Sequence, residues 1–249
     1  MAVGADVGVI GGSGFYAFLD EVTEVTVDTP YGAPSAPVAV GQVGGRGVAF
    51  VPRHGRDHQF PPHRVNFRAN VWALKEVGAA AVVGSFAAGS LTPDIHPGEF
   101  VVVDQVIDRT WGRADTYFDG PEVRHVSMAD PYDARLRAVL VTAARQRDIT
   151  VHDGGTVVVV QGPRFATRAE STGYRAQGGH VIGMTQYPEA TLARELDLPY
   201  AAVALVTDYD AGLEGVESIE PVTLEQVLSV MAANIDRVRD LLTAAIPLL

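Results

Sequence analysis

The segment GTVVVVQGPRFATRAESTGYRAQGGHVIGMTQYPEATLARELDLPYAAVALVTDYD, residues 155–210, decides the fold class. Apolar, β-branched runs at 155–161, 180–183 and 200–207 read as strands, and the stretches 167–177 and 188–196 between them read as helices. Strands alternating with helices at this spacing predict a mixed, largely parallel sheet with helices packed on its faces. Further helices are expected over 131–147 and 222–244. Toward the N-terminus, ADVGVI (5–10) is a strand running into Gly11-Gly12-Ser13-Gly14. Stretches 21–28, 37–42 and 47–52 look like antiparallel strands, with Gly44-Gly45 turning the chain between the last two. The loop PRHGRDHQFPPH (52–63) follows, then an amphipathic helix over 64–77 with Val65, Ala69 and Trp72 on one face. AAAVVGSFAAGSL (79–91) is a buried strand, 99–107 another, and 109–130 a polar excursion bearing glycines and aromatics. No linker, repeat or low-complexity tract divides the chain, so one α/β domain over 1–249 is expected.

Composition narrows the function. The 249 residues carry 19 Lys and Arg against 30 Asp and Glu, a formal charge of -11. General nucleic-acid binding needs a basic face, so it is not expected, and an anionic ligand needs a local basic pocket in a repelling field. The absence of Cys excludes disulfides, thiolate nucleophiles and Cys-ligated zinc. Lysine occurs once, at Lys75, and no Gly-Lys-Ser/Thr run exists for a Walker A loop. MAVGADVGVIGGSG lacks the basic segment and long apolar core of a signal peptide, and no apolar run approaches a membrane span. A cytoplasmic protein with no membrane partner is the expectation.

In open α/β sheets ligands bind beyond the carboxyl ends of strands, where the chemistry-bearing motifs of this chain all sit. Residues 12–17 (GSGFYA) fit G-x-G-x-x-A, yet a β stretch arrives too soon for the helix a dinucleotide fingerprint needs. The same loop can instead hold an anion on backbone N–H groups and the Ser13 hydroxyl, or be a tight turn. Arg53-His54 offers a planar fork and an imidazole to a phosphate. His54, His58 and His63 match no standard metal-ligand spacing, and His58 and His63 read as parts of a solvated loop. The small residues of Ser85-Phe86-Ala87-Ala88-Gly89-Ser90 permit close approach to backbone amides, or are simply a cap.

Thr167-Arg168-Ala169-Glu170 resembles a capping box, and Phe165 before it either stacks on a flat ring or fills core. Met184-Thr185 pairs a soft apolar side chain with a hydroxyl close to a helix start, a setting for a sugar and an anion. Thr207-Asp208-Tyr209-Asp210 ends an apolar strand. If the chain stays extended, its two carboxyls point the same way. Such a pair accepts from an exocyclic amine and shares a proton with a ring nitrogen, and burial would raise one pKa toward general-acid use. A solvated loop or a metal site are the alternatives for this stretch. Together the motifs suggest an anion end, an apolar middle and a carboxylate end, the polarity of a phosphate, a sugar and an amino-bearing heterocycle.

On GVIGGSGFY, VPRHGRDHQFPPHRVNFRANVWALKEVG, GSL, QGPRFATRAES, VIGMT-x-x-PEA-x-LARE and TDYD, the chain resembles the trimeric nucleoside phosphorylases, and within them the S-methyl-5'-thioadenosine phosphorylase branch. The resemblance implies a three-layer α/β/α domain, usually a homotrimer, that cleaves an N-glycosidic bond with phosphate as nucleophile. It implies phosphate contacts at Ser13, Arg53, His54, Phe86, Ala87 and Thr185, and nucleoside contacts at Phe165, Met184, Asp208 and Asp210. Asp208 would protonate or hydrogen-bond N7 of the leaving base and Asp210 would accept from its 6-amino group. His125 matches a residue that reaches into a neighbouring subunit's site. No metal or organic cofactor is expected, phosphate being a co-substrate. Three positions depart from the family pattern: Phe86 stands for a Thr, Gly183 for an Asn, and Ala166, beside the base region and so a specificity position, for a Ser. The competing readings are a phosphorylase for methylthioinosine, inosine or adenosine, a nucleosidase, an idle anion-binding protein and a dinucleotide oxidoreductase.

Overall fold

The computed structural model describes residues 4–211, 213 and 221–249. Eleven strands form one mixed sheet: β1 (Val7–Gly11), β2 (Thr23–Val25), β3 (Val38–Val43), β4 (Arg46–Pro52), β5 (Ala81–Ser90), β6 (Phe100–Val102), β7 (Gln105–Arg109), β8 (Val151–Asp153), β9 (Thr156–Val160), β10 (Val181–Gly183) and β11 (Tyr200–Asp208). Among the described residues five α-helices accompany it: α1 (Phe67–Glu76), α2 (Ala134–Gln146), α3 (Arg168–Ala176), α4 (Gln186–Glu195) and α5 (Leu224–Ala245). Among the described residues no helix is long and apolar enough to cross a membrane.

The side-chain alternation of β11 explains the layering, since successive residues of a strand face opposite ways. Tyr200, Ala202, Ala204 and Val206 join a core with Phe67, Val71 and Leu74 of α1 and Ala190 and Leu192 of α4. Ala201, Val203 and Leu205 join the opposite core with Leu136 and Leu140 of α2 and Met231, Val238 and Leu241 of α5. Helices thus cover both faces, giving three layers. Parallel pairings are β1 with β4 and β5, β5 with β11, β9 with β10 and β7, and β6 with β8.

Local chemistry sets the ends of the elements. Asn66 caps α1 by accepting from the Ala69 N–H, so the helix starts after Val65, and its buried face is Phe67, Ala69, Asn70, Val71, Ala73 and Leu74. Trp72 is only partly covered, a correction to the expected face. The strand expected at 99–107 is two strands: the Asp104 N–H donates to the Gly155 carbonyl and Asp104 Oδ1 accepts from the Gly155 N–H, which separates β6 from β7. Thr167 and Glu170 form the anticipated capping box of α3. Inside α4, Tyr187 is extended (φ -115°, ψ 131°), so regular helix begins only at Pro188.

One feature of the sheet positions the site. β5 pairs with β11 along one side. On its other side it pairs with β1 through Gly84 and with β10 only from Gly89 onward. Between these two neighbours, residues 85–88 pair with no described strand on that edge, and Phe86, Ala87 and Ala88 line a cavity there.

Candidate active site

That cavity has a volume of ≈ 330 Å³. The end expected to take an anion lies where β1 and β4 stop. Gly12 must be glycine there, because a Cβ would stand 2.6 Å from the Ser85 carbonyl and 2.9 Å from the Phe86 Cα. No helix follows Gly14 before β2, so the loop is not a dinucleotide fingerprint but a backbone turn that brings Ser13 to the cavity wall.

Arg53 is fully buried and touches the same wall. Its Nε and Nη2 donate to Glu189 Oε2 (2.6 Å) and Oε1 (2.7 Å), and Nη1 donates to the Ser85 carbonyl (2.8 Å). Burial opposes its charge, but the Glu189 carboxylate more than offsets that and holds the guanidinium above its ordinary pKa. Tyr200 also donates to Glu189, at 2.6 Å. Glu189 was invisible as a partner in the sequence, since it lies 136 residues from Arg53.

His54 is buried, with Nδ1 2.8 Å from the Phe60 carbonyl. A carbonyl only accepts, so Nδ1 carries the hydrogen and Nε2 keeps a lone pair. Burial first, then the Arg53 charge, pull its pKa down to about 3. The ring of His58 stacks on it at 4.5 Å and 12°, and His58 Nδ1 meets the Tyr16 hydroxyl at 2.8 Å. His58 is therefore not the solvated residue expected; it lines the cavity, while His63 is exposed. Stacked rings carry their nitrogen lone pairs in parallel planes, which do not converge on one ion.

Phe165, Ala166, Met184 and Thr185 also line the cavity. Thr185 is buried, and its side chain makes no capping bond, which leaves the hydroxyl uncommitted to the helix. Two of the departures from the family pattern touch: a Cβ on Gly183 would lie 3.4 Å from Cδ2 and Cε2 of Phe86. The Phe86 ring therefore covers the face of residue 183 that a larger side chain would enter.

At the far end stand Asp208 and Asp210. They meet through a bulge and a left-handed residue rather than an extended chain. The β11–β5 register slips between Val206 and Asp208, and Asp210 has φ 49°. Asp208 Oδ1 accepts from the Asp210 N–H and Oδ2 from the Thr207 hydroxyl, both at 2.7 Å. Burial raises the pKa of Asp208 against those hydrogen bonds. Burial also raises Asp210, helped by the Asp208 and Glu170 charges. Asp210 Oδ2 is buried with no hydrogen-bond partner among the described residues. Gly89 makes room for the pair, since a Cβ there would sit 2.8 Å from Asp208 Oδ1.

Leu224, Val227 and Leu228 of α5 add an apolar wall. Sequence reasoning passed over them, although their i, i+3, i+4 spacing at the start of a long helix was the available signal. His125 is exposed and is not among the residues lining the cavity of its own chain.

Comparison with known proteins places this geometry. The family profile described as "Phosphorylase superfamily" matches residues 6–247. The chain is 58% identical to a purine nucleoside phosphorylase of Streptomyces coelicolor, over 98% of this chain and 89% of the relative. It is 51% identical to an S-methyl-5'-thioadenosine phosphorylase of Mycobacterium tuberculosis, again over 98% and 89%. A solved methylthioadenosine phosphorylase of Schistosoma mansoni in complex with adenine superposes with a TM-score of 0.93 at 39% identity, covering 98% of this chain and 91% of that one. The chain belongs to the phosphorylase superfamily.

Proposed function

We propose that the chain cleaves the N-glycosidic bond of S-methyl-5'-thioadenosine with phosphate, releasing adenine and 5-methylthioribose 1-phosphate. The observation that carries this reading is the buried carboxylate oxygen of Asp210 beside Asp208, without a hydrogen-bond partner among the described residues, in a cavity also lined by Ser13, His54 and Thr185. Phosphate sits under the sugar, held by the Ser13 and Thr185 hydroxyls, the edge of β5 at Phe86 and Ala87, His54 and the remaining N–H groups of Arg53. It attacks C1' as the bond to adenine breaks, and the developing cationic sugar is stabilised by the adjacent anion. Asp208, with its raised pKa, delivers a proton to N7 of the leaving base. Asp210 accepts from the 6-amino group. A 6-oxo base would set two acceptors against each other. Phe165 and Met184 bracket the base and sugar, and Ala166 leaves room beside the base.

Leu224, Val227 and Leu228 favour an apolar 5' substituent such as methylthio over a hydroxyl, which would lose its water against them. The reaction needs no metal or organic cofactor. The exposed Trp111 and Val123 flank the same excursion as His125, and they support a homotrimer in which His125 completes a neighbour's site.

A second reading, phosphorolysis of another purine nucleoside, is favoured by the name of the Streptomyces coelicolor relative. The test is release of free base from methylthioadenosine, methylthioinosine, adenosine and inosine, each with and without phosphate. Phosphate-dependent release of adenine, fastest from methylthioadenosine, is expected. Release without phosphate would make the chain a nucleosidase, and turnover only of the 6-oxo compounds would overturn the reading of the Asp pair.

A further inference from the structure

Arg113 lies in the excursion that follows β7, and its guanidinium grips the cavity wall from behind. Nη2 donates to the carbonyls of Met184 (2.9 Å) and Gln161 (3.0 Å), Nη1 to the carbonyl of Tyr187, and Nε to Gln161 Oε1 (3.2 Å). The guanidinium carbon also stands 5.4 Å from the centre of the Phe67 ring. One side chain therefore ties together the exits of β9 and β10 and the kinked entry of α4. No carboxylate among the described residues takes a hydrogen bond from it. Burial lowers its pKa to about 10, against the Asp108 and Tyr187 charges, so it stays cationic at neutral pH. The excursion is held to α4 independently as well: the Tyr187 hydroxyl donates to Asp115 Oδ2 and the Thr116 hydroxyl to Glu195 Oε1, both at 2.7 Å.

The bond to Met184 matters most. A peptide unit is planar and its C=O and N–H point in opposite directions. The carbonyl of Met184 and the N–H of Thr185 belong to one such unit. With the carbonyl held by Arg113, the N–H of Thr185 points away from Arg113. A cation on the oxygen also polarises the unit and strengthens the N–H as a donor. Thr185 lines the cavity, so this peptide is positioned and polarised from a residue outside the cavity.

We propose that Arg113 is a positioning residue for phosphorolysis: through the Met184–Thr185 peptide it sets the donor geometry that meets phosphate. The proposal rests on the phosphorolysis reading above. It is tested with full-length wild type, Arg113→Met, Arg113→Lys and Arg113→Ala, by steady-state kinetics in both substrates and by thermal melts. Losing charge-assisted hydrogen bonds predicts a phosphate KM raised about ten- to a hundredfold in Arg113→Met, with a smaller change in nucleoside KM. Arg113→Lys should fall between, and added guanidinium at millimolar concentration should lower the phosphate KM of Arg113→Ala but not of wild type. A phosphate KM within twofold of wild type in well-folded variants would overturn the proposal. So would equal losses in both KM values that track the melting temperature, with no guanidinium rescue. A wild type that releases base without phosphate would instead sink the phosphorolysis reading itself.

Discussion

At Arg53 the fork that would grip a phosphate already holds Glu189, and a third N–H goes to the Ser85 carbonyl. The neighbouring His54 is neutral and keeps only a lone pair on Nε2. The phosphate dianion, HPO4 2−, carries one hydrogen, and donating it to that lone pair matches the anion to neutral His54 without a proton from solvent. Calorimetry at pH 8 in two buffers of different ionisation enthalpy should therefore register no net proton uptake with phosphate, and uptake of a proton would show that the contact needs an imidazolium or a monoanion instead. Asp208 poses the opposite problem. Its pKa is higher folded than unfolded, so its stabilising share is full below the unfolded pKa and is lost as pH rises through the folded one. Wherever it is ionised, the buried carboxylate costs stability. Asp208→Asn removes that cost, and the Thr207 hydroxyl, 3.3 Å from the Ala88 carbonyl, can turn to donate there and accept from the new amide. The expected result is a kcat down about a hundredfold or more with an unchanged or higher melting temperature at pH 7. Activity near wild type would refute the general-acid role. Asp210→Asn presents a donor where the carboxylate only accepts. It should shift the kcat/KM ratio of methylthioadenosine to methylthioinosine toward the 6-oxo compound about tenfold or more.

At the scale of elements, the site exists because β5 outlasts its neighbours. β1 leaves it at Gly84 and β10 joins it only at Gly89, and the open edge between them is the cavity wall. The bulge at the end of β11 then re-aims Asp208, and the late start of α4 puts Glu189 in its first regular turn, facing Arg53. This ion pair joins the end of β4 to α4 across the sheet. Glu189→Ala would leave the Arg53 guanidinium buried without a carboxylate, at a cost of about 3–5 kcal/mol. A urea melt should show that loss as a lower midpoint with an unchanged slope, whereas an unchanged midpoint would mean that water or movement of Arg53 replaces the pair.

For the whole molecule, a charge of -11 repels the anionic co-substrate, so phosphate affinity depends on the short-range donors gathered in the cavity. Trp111 is 74% and Val123 70% exposed, both in the stretch between β7 and α2 that also carries His125 and Arg113. Burying these side chains against a second copy would remove apolar surface and carry His125 toward another cavity. Light scattering on the purified chain is expected to give a trimer, and His125→Ala to raise the nucleoside KM while leaving the phosphate KM in place. A monomer with full activity would end the shared-site role of His125.

The amino-acid sequence alone determined the order of most elements and the family. β-branched runs, helical spacing and the Thr167–Glu170 box are local signals, and they act over a few residues in the folded chain as they do on paper. It also marked most of the cavity, because Ser13, Arg53, His54, Met184, Thr185 and the Asp pair sit at strand ends. Only the tertiary structure decided what those residues face. Arg53 meets Glu189 136 residues away, Gly183 meets Phe86, and His58 is drawn from its loop onto His54. The interruption between β6 and β7 depends likewise on Asp104 finding Gly155. These contacts depend on where the sheet forks and how the helices pack across it, and no periodicity along the chain records distances between segments so far apart.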